Sequence, residues 1–172
     1  MTLDQLKQDL FERFIRAFDE FDRIAEKKAQ AQSFVYSRLP RYRVSKFDGK
    51  KIPLGDKILF EAPEVHPEIY GLDTEGQPCY HSSEHTFNKA YWEGFYDITA
   101  SCIEYIEFDL QSKKPIEISR ILLDNGQKTG LQYLKVDGGD FSDAYNGLSN
   151  RDTAVQLLQT PNDLISNVEL YH

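Results

Sequence analysis

Apolar residues recur at three- and four-residue intervals near the start of the chain, which is the spacing of one face of an α-helix. The main positions on this face are Leu3, Leu6, Leu10, Phe14, Phe18 and Phe21. The pattern predicts one long helix over residues 3–30. Thr2 precedes it and Gln5 follows three residues later, a pair typical of the capping box that begins a helix.

Further along the chain the pattern changes to three short apolar segments separated by turns, which is typical of a β-meander. The segments are Cys102–Leu110, Ile116–Leu123 and Leu131–Val136. Asn125-Gly126 separates the last two, and an Asn-Gly pair tolerates the positive φ that a tight hairpin requires. Pro115 precedes the second segment and can open a strand, because its missing N–H is harmless there.

Shorter apolar clusters elsewhere are broken by proline and glycine, so they predict strands and turns. Those strands are Ser33–Leu39, Tyr42–Phe47, Lys57–Glu61, Ile69–Leu72, Pro78–His81 and Ile165–Tyr171. Asn88–Tyr96 fits either a short helix or an aromatic-rich strand, and a strand or extended segment is favoured for Phe95–Ile98. Asn150 is placed to cap a short helix over Asp152–Gln159, which Pro161 ends. We therefore predict a single α+β domain over residues 1–172. A long N-terminal helix packs on a mainly antiparallel meander sheet, followed by a short C-terminal helix and a final strand.

Composition places the chain among ordinary globular proteins. It has 172 residues, of which 40% are hydrophobic and 13% aromatic, and no apolar run approaches the roughly 20 residues of a membrane helix. The first residues lack the basic and apolar regions of a secretory signal. Cys79 and Cys102 are the two cysteines, and we expect reduced thiols in a cytoplasmic protein.

The net charge of −8 is unevenly distributed. Residues 1–60 carry 13 Lys or Arg against 9 Asp or Glu, a balance of +4, whereas residues 61–172 carry 7 against 19, a balance of −12. An acidic sheet repels nucleic-acid phosphate and attracts a basic partner. The basic, aromatic-rich stretch near residues 38–57 is interpreted as offsetting this acid within the molecule. We therefore predict neither a nucleic-acid nor a membrane partner.

The segment His81-Ser82-Ser83-Glu84-His85 resembles the H-x-x-E-H pattern of the inverzincin metallopeptidases. The resemblance implies a zinc ion held by His81 and His85, with Glu84 as general base. That chemistry needs a helix, however, and the flanking sequence predicts a strand. On a strand the two histidines lie about 13 Å apart, too far to share one ion. No metal or cofactor is therefore predicted.

Carboxylates gather on the predicted central strands. Glu107 and Asp109 share a face with Tyr105 through the two-residue period of a strand, and this is expected to be the wetter face. Glu117 and Tyr133 follow on the next two strands. Catalysis by paired carboxylates would need a cleft with aromatic walls. The side chains available for such walls are Trp92, Tyr96, Tyr105 and Tyr133.

The sequence favours a non-enzymatic, acidic protein-binding module that engages a basic protein partner. Its expected binding residues are Tyr105, Glu107, Asp109, Glu117 and Tyr133. Small cytosolic inhibitor and immunity proteins are similar in size, acidity and lack of catalytic motifs. The alternative is a hydrolase, either metal-dependent through His81, Glu84 and His85 or based on carboxylates. The oligomeric state is left open.

Overall fold

The computed structural model describes residues 1–37, 42–53, 68–85, 90–136 and 164–171. Within these ranges the helices are α1 (Leu3–Ala17) and α2 (Arg23–Gln30), and Val44–Lys46 forms a 3₁₀ turn. The strands are β1 (Ser33–Ser37), β2 (Glu68–Leu72), β3 (Pro78–His85), β4 (Ala90–Ile98), β5 (Cys102–Asp109), β6 (Pro115–Asp124), β7 (Gln127–Val136) and β8 (Leu164–Leu170).

All eight described strands form one sheet in the order of the chain, and each pairs antiparallel with the next. The predicted α+β class with an antiparallel meander sheet is therefore confirmed. The central hairpins match the sequence closely: Pro115 opens β6, and Asn125 and Gly126 turn with φ of 49° and 79°. Among the described residues, neither helix combines the length and apolar character needed to cross a bilayer.

The prediction of one helix over residues 3–30 is wrong, because α1 and α2 are separated at residues 18–22. After α1 the backbone hydrogen bonds join residues three apart instead of four. The N–H of Glu20, for example, donates to the carbonyl of Ala17 at 3.0 Å. Arg13 donates two further bonds, of 2.9 and 2.8 Å, to the Glu20 carboxylate. The bend allows α1 to pack on β6, β7 and β8 while α2 packs on β3 and β4. The capping box of Thr2 and Gln5 is confirmed.

The strand predicted over Tyr42–Phe47 is also wrong. Tyr42, Val44 and Phe47 are buried against the sheet, but the backbone of this segment forms a 3₁₀ turn and does not join the sheet. The strand predicted at Lys57–Glu61 and the helix at Asp152–Gln159 lie outside the described residues. The single-domain organisation stays a prediction.

The two faces of the sheet carry separate cores. We call the face under α1 and α2 the helix face. Its buried members include Leu10, Phe14, Ala17, Ile24, Phe95, Ile106, Phe108, Ile118 and Leu134. A buried ion pair joins α1 to this face, because Arg13 donates bonds of 2.9 and 2.8 Å to Glu104 of β5. Arg120 of β6 lies 2.8 Å from the same carboxylate.

Residues 42–53 cover the opposite face, which we call the cavity face. The buried side chains of this covering segment are Tyr42, Val44, Phe47 and Ile52. Tyr96 of β4 fixes the segment by donating a hydrogen bond of 2.9 Å to the backbone carbonyl of Tyr42. Cover and sheet meet over part of the face and leave a cavity over the rest.

Candidate functional site

A cavity of about 540 Å³ lies on the cavity face, between the covering segment and strands β2 to β7. Its lining residues are Tyr42, Arg43, Val44, Ser45, Glu68, Tyr70, His81, Ser83, Trp92, Tyr96, Tyr105, Glu107, Glu117, Ser119, Leu131, Tyr133 and Lys135. Arg43, Ser45 and Lys135 are exposed, whereas the residues at the other end are buried. The cavity therefore leads from solvent to a buried floor.

One row of residues crosses the cavity face from strand to strand. The register pairs His81 with Gly94, Gly94 with Glu107, Glu107 with Glu117, and Glu117 with Lys135. We call His81, Glu107, Glu117 and Lys135 the charged row. Side chains directly opposite one another on a sheet have Cβ atoms about 5 Å apart. Four residues distant in sequence thus become electrostatic neighbours.

Both ring nitrogens of His81 have partners at the buried end of the cavity. Nε2 lies 2.5 Å from a Glu68 oxygen, and Nδ1 lies 2.6 Å from the Tyr105 hydroxyl. That hydroxyl donates to Glu107 Oε2 at 2.6 Å, and Ser83 Oγ donates to Glu68 at 3.0 Å. The result is a continuous hydrogen-bonded chain from Glu68 through His81 and Tyr105 to Glu107.

The bonding pattern defines the protonation state of His81. Tyr105 has one hydroxyl proton and gives it to Glu107, so the phenol oxygen accepts from His81 Nδ1–H. The Glu68 carboxylate accepts from Nε2–H, which leaves His81 as an imidazolium ion. Burial alone lowers the pKa of His81, but the hydrogen bonds and charges of Glu107 and Glu68 outweigh burial and raise the pKa to about 9. A ring with both nitrogens occupied has no lone pair for a metal ion.

Gly94 makes this chain of bonds possible. It lies between His81 and Glu107 in the register, and a Cβ at this position would come within 2.8 Å of the Tyr105 hydroxyl and 2.5 Å of the Ile106 carbonyl. Any larger residue would therefore collide with the phenol. The missing side chain lets Tyr105 reach across β4 to His81 on β3.

The two carboxylates at the centre of the charged row differ in proton affinity. Burial and the charge of Glu107 raise the pKa of Glu117 to about 7, against the opposing effect of Lys135, whose Nζ lies 3.5 Å away. Burial also disfavours ionisation of Glu107, but the hydrogen bond and charge of His81 outweigh burial and lower its pKa. Glu107 is thus ionised at neutral pH, while Glu117 exchanges a proton there.

Aromatic rings form most of the cavity wall. Tyr70 stacks on the His81 ring with centroids 4.5 Å apart and planes within 16°, and Tyr42 meets Tyr70 edge to face at 5.0 Å. Tyr96 packs against Tyr105 at 4.6 Å. The rings of the wall are thus packed against one another.

The structure brings together four of the five predicted binding residues, since Tyr105, Glu107, Glu117 and Tyr133 line the cavity. Asp109 is not among its lining residues. Its carboxylate instead accepts the N–H of Ser112 at 2.7 Å, in the turn after β5. The expectation of a wetter face is wrong for Tyr105, Glu107 and Asp109, each 8% exposed, because a covering segment and neighbouring side chains enclose them.

The same cavity contains the four aromatic residues predicted as walls of a carboxylate cleft, Trp92, Tyr96, Tyr105 and Tyr133. Sequence reasoning did not find Glu68, Tyr70 or Lys135. Gly94 carried a usable signal, because glycine within an aromatic-rich strand often marks a close approach. The histidine motif lies on strand β3, so the helix required by the inverzincin resemblance is absent from this segment. Among the described residues, no group of three or more His, Cys, Asp or Glu is arranged to hold a metal ion.

Comparisons of the chain with protein-family models, curated proteins and solved structures find no match. A functional assignment therefore depends on the geometry and charge of the cavity itself.

Proposed function

We propose that the protein binds a small organic molecule in the cavity of the cavity face. The observation that carries this proposal is the convergence of the charged row and packed tyrosine rings on one solvent-connected space of about 540 Å³. Sites for small molecules are concave, about 300–1,000 Å³ in volume, and combine apolar walls with a few fixed polar groups. The cavity has each of these properties.

The energetic cost of the site also supports a binding role. Glu68, His81 and Glu107 are 2%, 5% and 8% exposed, and taking charges out of water is costly even when they are paired. Replacing buried ion pairs by apolar residues of similar volume is often neutral or stabilising, so stability alone does not account for these charges. Buried charge beside a cavity is typical of a functional site.

Trp92 offers a direct test, because it is the only tryptophan of the chain and lines the cavity. Its fluorescence reports on the site without a label. A metabolite library screened by thermal shift should yield compounds that also change Trp92 emission saturably. Ser119→Phe, which fills the cavity, should abolish binding, whereas Ser119→Ala should preserve it. Binding that survives in a folded Ser119→Phe variant would contradict the proposal.

A second candidate is carboxylate-based hydrolysis within the same cavity. The specific observation in its favour is that Glu107 and Glu117 face each other with pKa values shifted in opposite directions. Such a division is typical of an acid and base pair. Chromogenic glycosides and esters would test it, and turnover by the wild type that Glu117→Gln loses at retained binding would support it.

The docking of a basic protein partner, expected from the charge distribution, stays a prediction. Glu107 is buried and lines the cavity, whereas Glu117 and Tyr133 are half-buried. Charge reversal at Glu117, Glu75 and Asp124 would reduce association with such a partner at low salt if the acidic surface as a whole steers it.

A further inference from the structure

We propose that the ligand carries a positively charged nitrogen, which lies between Glu107 and Glu117 under the aromatic wall. This inference rests on the proposed function and names the ligand class for that same cavity. Its basis is the hydrogen bonding that remains available at the centre of the charged row.

Glu107 has one oxygen available to a ligand. Its Oε2 accepts the Tyr105 hydroxyl and lies 3.5 Å from His81 Nδ1, whereas Oε1 has no hydrogen-bond partner among the described residues. Both N–H groups of His81 have partners in Glu68 and Tyr105, and the 3.5 Å contact of His81 with Glu107 is made to Oε2, so the imidazolium does not occupy Oε1. The nearest internal cation is thus already fully engaged.

Glu117 is similarly open to a donor. Within the described part of the chain its cationic partner is Lys135, at 3.5 Å and with a side chain that is 46% exposed. A pair of this kind contributes little and is readily exchanged. An ammonium group between Glu107 and Glu117 would form charge-assisted hydrogen bonds to both, at a depth where water competes less.

The walls suit a cation as well. Tyrosine and tryptophan rings attract cations through their negative faces, and Tyr96, Tyr105, Trp92 and Tyr133 line the same cavity as the two carboxylates. An anionic group is less well matched, because Arg43 and Lys135, two of the lining cations, lie at the exposed end of the cavity. A neutral ligand would give Glu107 Oε1 no charge-assisted hydrogen bond.

Affinity for a cationic ligand should depend on pH through the charged and titratable groups around Glu117. These groups are Tyr105 and Glu107 on β5, His81 on β3, Tyr96 on β4, Tyr133 and Lys135 on β7, and Arg43 on the covering segment. The pKa of His81 is raised to about 9 and the pKa values of Tyr96, Tyr105 and Tyr133 are raised, so His81 stays protonated and these tyrosines stay neutral from pH 6 to pH 8. Glu117, with a pKa of about 7, is then the group that ionises. Affinity for a cation should therefore increase with pH by about tenfold over this range.

The experiment compares 2-phenylethylamine with 2-phenylethanol, which match in shape and differ in charge. Titration of Trp92 fluorescence should detect the amine and not the alcohol, with tighter amine binding at pH 8 than at pH 6. Glu117→Gln should weaken the amine about tenfold or more and remove the pH dependence. Glu84→Gln, which neutralises an exposed carboxylate on β3, is the matched control and should behave as wild type.

A variant that is expected to tighten amine binding distinguishes loss of recognition from damage to the fold. Lys135→Met removes the cation that competes for Glu117 and should tighten amine binding several-fold, which no misfolded protein would do. Equal binding of amine and alcohol, tighter binding at pH 6 than at pH 8, or weakening in Lys135→Met overturns the inference. If neutral or anionic library compounds bind while all amines fail, the inference is wrong and the proposed function survives. If no compound of any charge binds, both fail.

Discussion

Tyr105 is the residue on which the hydrogen-bonded chain of the cavity depends. Its hydroxyl accepts a hydrogen bond from His81 and donates one to Glu107, so it links the charged groups of β3 and β5. The phenol is buried among aromatic rings and cannot be replaced by water without rearrangement.

We therefore expect Tyr105→Phe to leave a buried N–H of His81 unpaired, at a cost of about 1–3 kcal/mol in the free energy of unfolding. Tyr133→Phe is the control, because Tyr133 makes no hydrogen bond among the described residues and is only half-buried. Urea unfolding measures both. A loss of the same size in the two variants would mean that the hydroxyl of Tyr105 is not part of a critical chain.

Gly94 leaves room for the Tyr105 phenol in the same hydrogen-bonded chain. Gly94→Ala places a methyl group 2.5 Å from the Ile106 carbonyl, so we expect a loss of about 1–3 kcal/mol, as in other overpacked sites. Gly130→Ala is a matched change in a strand, where the nearest atom is the flexible Leu6 side chain at 3.3 Å. Thermal unfolding should separate the two variants clearly, and an unchanged Gly94→Ala would refute the close approach.

Among the elements, α1 is attached to the sheet by one apolar stripe and one ion-pair network. Phe14 lies at the centre of the stripe and is fully buried, whereas Phe11 is only partly buried at its edge. Phe14→Ala should cost about 3–5 kcal/mol, the range for emptying a buried aromatic site. Phe11→Ala should cost clearly less, and equal losses measured by urea unfolding would contradict the packing described.

The elements also mark the limit of sequence reasoning. The meander from β5 to β7 could be predicted because its alternation and its Asn125-Gly126 turn are local signals. The break after α1 could not, because it depends on Arg13 reaching Glu20 and on packing against two different parts of the sheet. The strand predicted over Tyr42–Phe47 was wrong for a related reason. The buried apolar residues of this segment give the same sequence pattern whether or not the backbone joins a sheet.

The candidate site was only partly predictable because it depends on the register in which β3 and β5 pair with β4. Tyr105, Glu107, Glu117 and Tyr133 were found because neighbouring hairpins fix their relation. His81 is related to them through β4, because Gly94 pairs with His81 on one side and with Glu107 on the other. No local sequence signal predicts this pairing. A shift of one residue would place these side chains on the opposite face.

At the scale of the whole molecule, the cavity makes stability depend on pH. Glu117 has a pKa raised from 4.5 to about 7, so its contribution is fully present below pH 4.5 and is lost as the pH rises through 7. The contribution of His81 is fully present below its unfolded value of 6.5 and is lost as the pH rises through about 9. Both groups therefore destabilise the fold towards alkaline pH.

We expect wild-type protein to lose about 2 kcal/mol more stability than Glu117→Gln between pH 5 and pH 8, because the variant has no carboxylate to ionise. Urea unfolding at both pH values in the two proteins gives this difference, with Glu84→Gln as a control that keeps the wild-type dependence. The same loss in wild type and Glu117→Gln would show that Glu117 does not titrate near neutral pH.

The most direct test of the cavity as a ligand site is an NMR titration of labelled protein with 2-phenylethylamine at pH 8. Binding in the cavity predicts saturable shifts of the Trp92 indole N–H and of the backbone N–H groups of Tyr105 and Ser119, with Phe14 and Gln132 on the helix face unchanged. Shifts confined to the helix face, or no saturable shift for this amine or any screened compound, would contradict the account.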